Sequence, residues 1–92
     1  MRKLVIWKTT VCPACYLLTK VIKEDKDFQK IKDRIQEIVL DGKDEALEEL
    51  ADEHNIKFVP TIELVEEEKV VKRIEGIPPK EVLEEIKKWM GI

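Results

Sequence analysis

The chain has 92 residues, of which 43% are hydrophobic and 40% charged, and 17 Lys and Arg against 20 Asp and Glu leave a net charge of −3. That length makes a single domain over residues 1–92, with a core but a small one. There is no basic excess to favour nucleic acid, and no apolar run approaches the roughly 18 residues that a membrane helix needs.

Lys3-Leu4-Val5-Ile6-Trp7 is a nearly continuous apolar run, which predicts a first strand buried on both faces. Pro13 suits the first position of a helix, where its missing N–H has no partner to lose. Leu17, Leu18, Val21 and Ile22 follow at helical spacing, so a first helix is predicted from Pro13 to about Glu24. Residues 25–35 read two ways: Phe28, Ile31 and Ile35 either continue that helix or form a short second one. Residues 36–40 are a β-branched run stopped by Asp41-Gly42, which predicts a second strand. Asp44 is placed to cap the next helix, with Glu45 at the positive end of its dipole. Leu47, Leu50, Ala51 and His54 share one face of that helix, and Asn55 ends it.

Residues 58–65 predict a third strand, entered through Pro60. Residues 66–69 form a polar turn, whose charge discourages pairing between edges. Residues 70–74 return as the antiparallel partner, and Gly76 breaks them off. Pro78-Pro79 start a last helix with Val82, Leu83, Ile86, Trp89 and Met90 on its apolar side. The order is β-α-β-α-β-β-α, an α/β domain. Its helical crossovers make the first three strands parallel or mixed, and the last two a hairpin.

The chemistry of the chain sits at Cys12 and Cys15, three apart where the first strand gives way to the first helix. The leading N–H groups of a helix are unpaired and its dipole is positive there, so a thiolate at Cys12 is stabilised. Cysteines so placed ionise well below the ordinary thiol value. Cys12 is expected to be exposed and Cys15 tucked one turn in. A C-x-x-C at such a junction reads as a thiol–disulfide motif, with Cys12 attacking a substrate disulfide and Cys15 resolving the mixed disulfide. Pro13 and Ala14 add neither charge nor a side-chain donor, which leaves the helix terminus and the backbone amides to tune the sulfur.

Two other readings exist for the pair. Inert packing requires a core position, which a strand–helix junction is not. Metal carriage is the second. Copper chaperones place a C-x-x-C similarly, usually with Met two residues before it where this chain has Thr10, and their element order differs. A zinc site needs four ligands, and two cysteines with one histidine fall short without a partner chain.

These residues resemble the thioredoxin/glutaredoxin superfamily over essentially the whole chain. Val5-Ile6-Trp7 followed by Cys12-Pro13-Ala14-Cys15 is similar to the glutaredoxin opening. The segment from His54 through Val59-Pro60-Thr61 is similar to the V/I-P-T region of thioredoxin, and Gly76 to Leu83 to its last helix. The resemblance implies a minimal thioredoxin fold, a four-stranded mixed sheet flanked by three helices. It also implies a cis bond before Pro60 against the sulfurs, with the backbone of Val59 offered to an extended substrate. Pro13, Val59, Pro60 and Gly76 are the substrate-binding candidates beside catalytic Cys12 and Cys15.

The departures from that family are specific. The buried Asp late in the first strand of thioredoxins is replaced by Ile6, and Glu37 falls where their accompanying Lys would be. Glu37 is therefore a candidate proton acceptor for Cys15, the other reading being an exposed carboxylate. Glutathione recognition implies a basic residue beside the motif, but Lys8 sits one place early and Thr9 takes its position. Pro78 and Pro79 lack the N–H groups that would hold a glutathione carboxylate.

The expectation is a dithiol–disulfide oxidoreductase acting on proteins, with a thioredoxin reductase-like electron donor and no cofactor or metal of its own. A glutathione-dependent glutaredoxin and a metal carrier are the alternatives. A cytoplasmic monomer is expected. Serine is absent, Asn and Gln total three, and Lys and Glu total 28, the composition of a protein that works hot. His54 is read as a half-buried packing or helix-end residue, and Trp7 and Trp89 as core.

Overall fold

Strand β1 (Arg2–Lys8) runs between β2 (Ile35–Val39) and β3 (Thr61–Glu66), with β4 (Lys69–Glu75) on the edge beyond β3, in a computed structural model that describes Met1–Ile92. β1 is parallel to β2 and antiparallel to β3, and β3 and β4 form an antiparallel hairpin. The sheet is thus mixed. The helical crossover out of β2 carries the chain past β1 to its far side, where the strand enters in the opposite sense.

Four helices accompany the sheet: α1 (Pro13–Glu24), the single turn α2 (Lys26–Gln29), α3 (Glu45–Glu53) and α4 (Lys80–Met90). The ambiguous segment resolves into α2 and a short 3-10 turn at Lys32–Arg34, because Asp25 breaks α1 with extended backbone and caps α2. Its carboxylate accepts the N–H groups of Asp27 at 2.9 Å and Phe28 at 3.3 Å. Asp44 caps α3 as its position predicts, accepting from Ala46 at 3.0 Å and Leu47 at 3.3 Å. No helix is long and apolar enough to cross a membrane.

The continuous apolar character of β1 follows from its central place. Side chains alternate across a strand, and here both faces are covered. Leu4 and Ile6, with Ile62 and Leu64 of β3, pack under α1 and α4 against Leu18, Phe28, Ile86 and Met90. Val5 and Trp7, with Ile38 and Val65, face α3 at Leu47, Leu50 and Ala51. Each such fully buried large side chain stabilises the fold by roughly 1.5–3 kcal/mol. The strands β1, β2 and β4 differ from expectation by one residue at their ends, and the starts of β3 and α4 differ for reasons tied to proline. The third strand starts at Thr61, paired with Trp7 and Glu75, rather than at residue 58. Pro60 has no N–H to give the ladder, and Phe58 stands out in solvent. The last helix starts at Lys80, with Pro79 as its extended N-cap.

Candidate active site

β1 delivers the chain to Cys12, which is the N-cap of α1 with extended backbone (φ −142°, ψ 101°). Pro13 then occupies the first helical position, and the Cys12 carbonyl accepts the Tyr16 N–H at 3.0 Å. This local geometry turns the Cys12 sulfur back over the helix end, where the N–H of Cys15 points at it from 3.0 Å. The first turn of α1 holds no acidic side chain to oppose a negative sulfur. Cys15 is only 2% exposed, while Cys12 is half-buried rather than open to solvent. The two cysteines are joined as a disulfide, their Cα atoms 5.1 Å apart.

The second wall comes from the far side of β1. The Val59–Pro60 peptide bond is cis, and the Val59 carbonyl oxygen is 3.8 Å from the Cys12 sulfur. Pro60 is buried, and its own carbonyl accepts the Gly76 N–H at 2.8 Å. Gly76 has φ +81°, a left-handed conformation that glycine adopts without strain. The Thr61 hydroxyl donates to the Phe58 carbonyl at 2.6 Å and tightens the entry to β3. Cys12, Cys15, Pro13, Val59, Pro60 and Gly76, widely spaced in the sequence, converge here. Val11, Tyr16, Phe58 and Ile77, on the segments that meet here, are all exposed.

On the other flank, a cavity of about 320 Å³ opens beside both cysteines, lined by Lys8, Thr9, Thr10, Tyr16 and Thr19. The Lys8 ammonium is 2.8 Å from the Glu37 carboxylate and 3.1 Å from the Thr19 hydroxyl. Glu37 itself is on the outer strand β2, with its side chain 38% exposed against 15% for Lys8. Glu37 does not line the cavity; its link to it runs through Lys8.

One buried group was not singled out from the sequence. Glu63, in the middle of β3, has no exposed surface. It accepts the Trp7 indole N–H at 2.7 Å, and it faces His54 Nδ1 at 2.9 Å and the Arg73 guanidinium at 3.2 Å. His54 is thereby committed to a carboxylate. The strand pattern puts residues 61, 63 and 65 on one face, but nothing in the sequence marks that face as buried.

A family model described as a thioredoxin-like domain matches residues 1–90. No curated protein sequence matches the chain. Among solved structures, thioredoxin f from spinach chloroplast (short form) is 24% identical with TM-score 0.73, and the match covers 98% of this chain and 77% of that one. A thioredoxin from Thermus thermophilus is 16% identical with TM-score 0.74, covering 99% of this chain and 74% of that one. A chain from the complex of ferredoxin:thioredoxin reductase with thioredoxin f2 is 23% identical with TM-score 0.74, covering 98% of this chain and 78% of that one.

Proposed function

This chain belongs to the thioredoxin-like domain family, and from that premise we propose that it reduces disulfides in other proteins through Cys12 and Cys15. The family and the neighbouring cysteines make it a thiol–disulfide oxidoreductase; protein disulfides as its substrate are our reading. The observation that carries it is the placement of Val59. Its carbonyl is 3.8 Å from the sulfur of Cys12, so an extended peptide aligned on that backbone brings its own disulfide to the nucleophile.

In the reduced enzyme the Cys12 thiolate attacks one sulfur of the substrate disulfide. A mixed disulfide forms, and the other substrate sulfur leaves as a thiolate. Cys15 then loses its proton, and its thiolate attacks the Cys12 sulfur. This closes the Cys12–Cys15 disulfide and releases the second substrate thiolate, so two electrons have passed to the substrate. In this scheme Lys8, which shares the cavity with both cysteines, gives a proton to the Glu37 carboxylate and, as the neutral amine, takes the proton that Cys15 loses, so Glu37 is the final proton acceptor. Pro13, next to Cys12, and Gly76, bonded to the Pro60 carbonyl, are the further substrate-binding residues in this reading. A reductase-type donor restores the dithiol; a structural relative occurs in a complex of ferredoxin:thioredoxin reductase with thioredoxin f2, which supports a partner of that class. Pro78 and Pro79 offer no N–H beside Gly76, which argues for protein over glutathione as the partner.

The test is turnover of insulin disulfides with dithiothreitol as the electron source. Wild-type protein is expected to reduce them and Cys12→Ser to be inactive. A Cys12→Ser protein with full activity contradicts the reading. Substituting glutathione with its reductase for the dithiothreitol distinguishes the glutaredoxin alternative.

A further inference from the structure

Two of the partners of the buried Glu63 carboxylate, His54 and Arg73, lead toward the turn that feeds Val59 and Pro60. Arg73 on β4, 3.2 Å from Glu63, also donates to the carbonyl of Asn55 at 3.3 Å and to that of His54. His54 is the C-cap of α3, and its ring is held by the same carboxylate at 2.9 Å. Asn55 reverses the chain there with φ +55°. Four residues later the chain presents Val59 to the Cys12 sulfur. Between these points residues 55, 57 and 58 are exposed and only Ile56 packs against the core, so packing on that segment is sparse. An irregular segment of this kind keeps one geometry only when its supporting contacts hold it. Glu63, Trp7, His54 and Arg73 supply that support from β3, β1, the end of α3 and β4. A carboxylate without exposed surface cannot release its hydrogen-bond partners cheaply.

We infer that Glu63 is a positioning residue for substrate recognition: through His54 and Arg73 it fixes residues 54–60 and so sets where the Val59 backbone meets an incoming peptide. The inference rests on the proposed function. Glu63 touches neither sulfur, so its effect falls on the binding of a polypeptide and not on thiol–disulfide exchange itself.

Wild type, Arg73→Met and Glu63→Gln test this, with Arg73→Lys as the conservative control. For each, KM and kcat are measured with a disulfide-bearing polypeptide, second-order rates with bis(2-hydroxyethyl) disulfide, and the midpoint potential of the Cys12–Cys15 couple. Both variants are expected to raise the polypeptide KM roughly tenfold, since misplacing a recognition element by about 1 Å carries penalties of up to ~100-fold. The small-disulfide rate and the potential are expected to stay at wild-type values, and Arg73→Lys to recover part of the loss. Arg73 is partly exposed and keeps its apolar stem in Met, so that variant carries the test if Glu63→Gln does not fold. A folded Arg73→Met protein with unchanged polypeptide KM overturns the inference, as does an equal loss on both substrates. A wild-type protein that reduces neither substrate overturns the proposed function instead, and the inference with it.

Discussion

The backbone N–H of Cys15 points at the sulfur of Cys12 from 3.0 Å, across the first turn of α1. In the disulfide that sulfur is a weak acceptor. Once reduction and loss of a proton make it a thiolate, the same N–H makes a charge-assisted bond that is shorter and about twice as strong. Reduction therefore strengthens a contact that the fold already holds in place. Cys15 has no such arrangement and is buried, which disfavours its thiolate.

The two cysteines should therefore react unequally. At neutral pH a small alkylating agent is expected to modify Cys12 first in the reduced protein, by at least roughly tenfold in rate, and mass mapping of the adduct reads it. Cys15→Ser should keep the first step and accumulate a covalent mixed disulfide with substrate. Preferential labelling of Cys15 would reverse the assigned roles.

The carboxylate of Glu37 tests the proton route. If it accepts the Cys15 proton through Lys8, Glu37→Gln should slow resolution of the mixed disulfide by on the order of 100-fold while leaving its formation unchanged. Lys8→Met should slow the same step, because it removes the group that lines the cavity and pairs with Glu37. Stopped-flow measurement of substrate release separates the two steps. A wild-type resolution rate in Glu37→Gln leaves that carboxylate as a surface partner of Lys8 and nothing more.

What could be read from the chain, and what could not, divides along sequence distance. Cys12, Pro13 and Cys15 were legible because a helix N-terminus is a local device: a strand, a proline and three residues of spacing specify it. Asp44 capped its helix for the same reason. The meeting of Cys12 with Val59 was implied by family resemblance rather than by the residues alone, since it spans 47 positions. The sheet order was not legible. A helical connection tells how the chain crosses, and the choice between the two sides of β1 depends on which faces the helices cover. Glu63 went unnoticed because a lone glutamate in Thr61-Ile62-Glu63-Leu64-Val65 looks like a solvent-facing position of an alternating strand. Only the tertiary approach of His54 and Arg73 makes it a buried anion. The entry of β3 was placed too early because Phe58 and Val59 have strand propensity, while Pro60 cannot join the ladder.

Stability and reactivity should be separable at Leu18. It is fully buried on the inner face of α1, in the same core cluster as Ile6 and Ile62 of the sheet, and has no polar role. Leu18→Ala removes three carbons from a packed core and is expected to cost about 2–5 kcal/mol in chemical denaturation, according to how far the site collapses. The folded variant should still alkylate at Cys12 with its normal preference, because the N-cap geometry is set one turn earlier.

Acid stability should report on Asp25 and Lys87. The Lys87 ammonium is 2.6 Å from Asp25, within 3.5 Å of Asp27 and Glu84, and over the Phe28 ring at 5.4 Å, so it ties α4 to the α1–α2 junction. Burial pushes the Asp25 carboxyl up, but the Lys87 hydrogen bond, the N–H groups of Phe28 and Asp27 and the Lys87 charge together outweigh it, so the group titrates below its ordinary 3.8. The hydrogen bond to Asp25 raises Lys87 above its ordinary 10.5, against the opposing effect of desolvation. The signs follow. A depressed carboxyl contributes stability that is complete above the ordinary aspartate range and lost as pH falls through the folded value. A raised lysine contributes stability that is complete below the ordinary lysine range and lost as pH rises through the folded value. Asp25→Asn keeps an oxygen to cap α2 and puts an amide NH2 where an oxygen met Lys87, so the charge and the Lys87 hydrogen bond are lost together while the cap stays. The urea midpoint of wild type should therefore exceed that of Asp25→Asn by a constant margin across neutral pH, and the margin should close as the solution is acidified through the carboxylate range. Parallel curves at every pH would mean that the charge of Asp25 adds nothing beyond its cap.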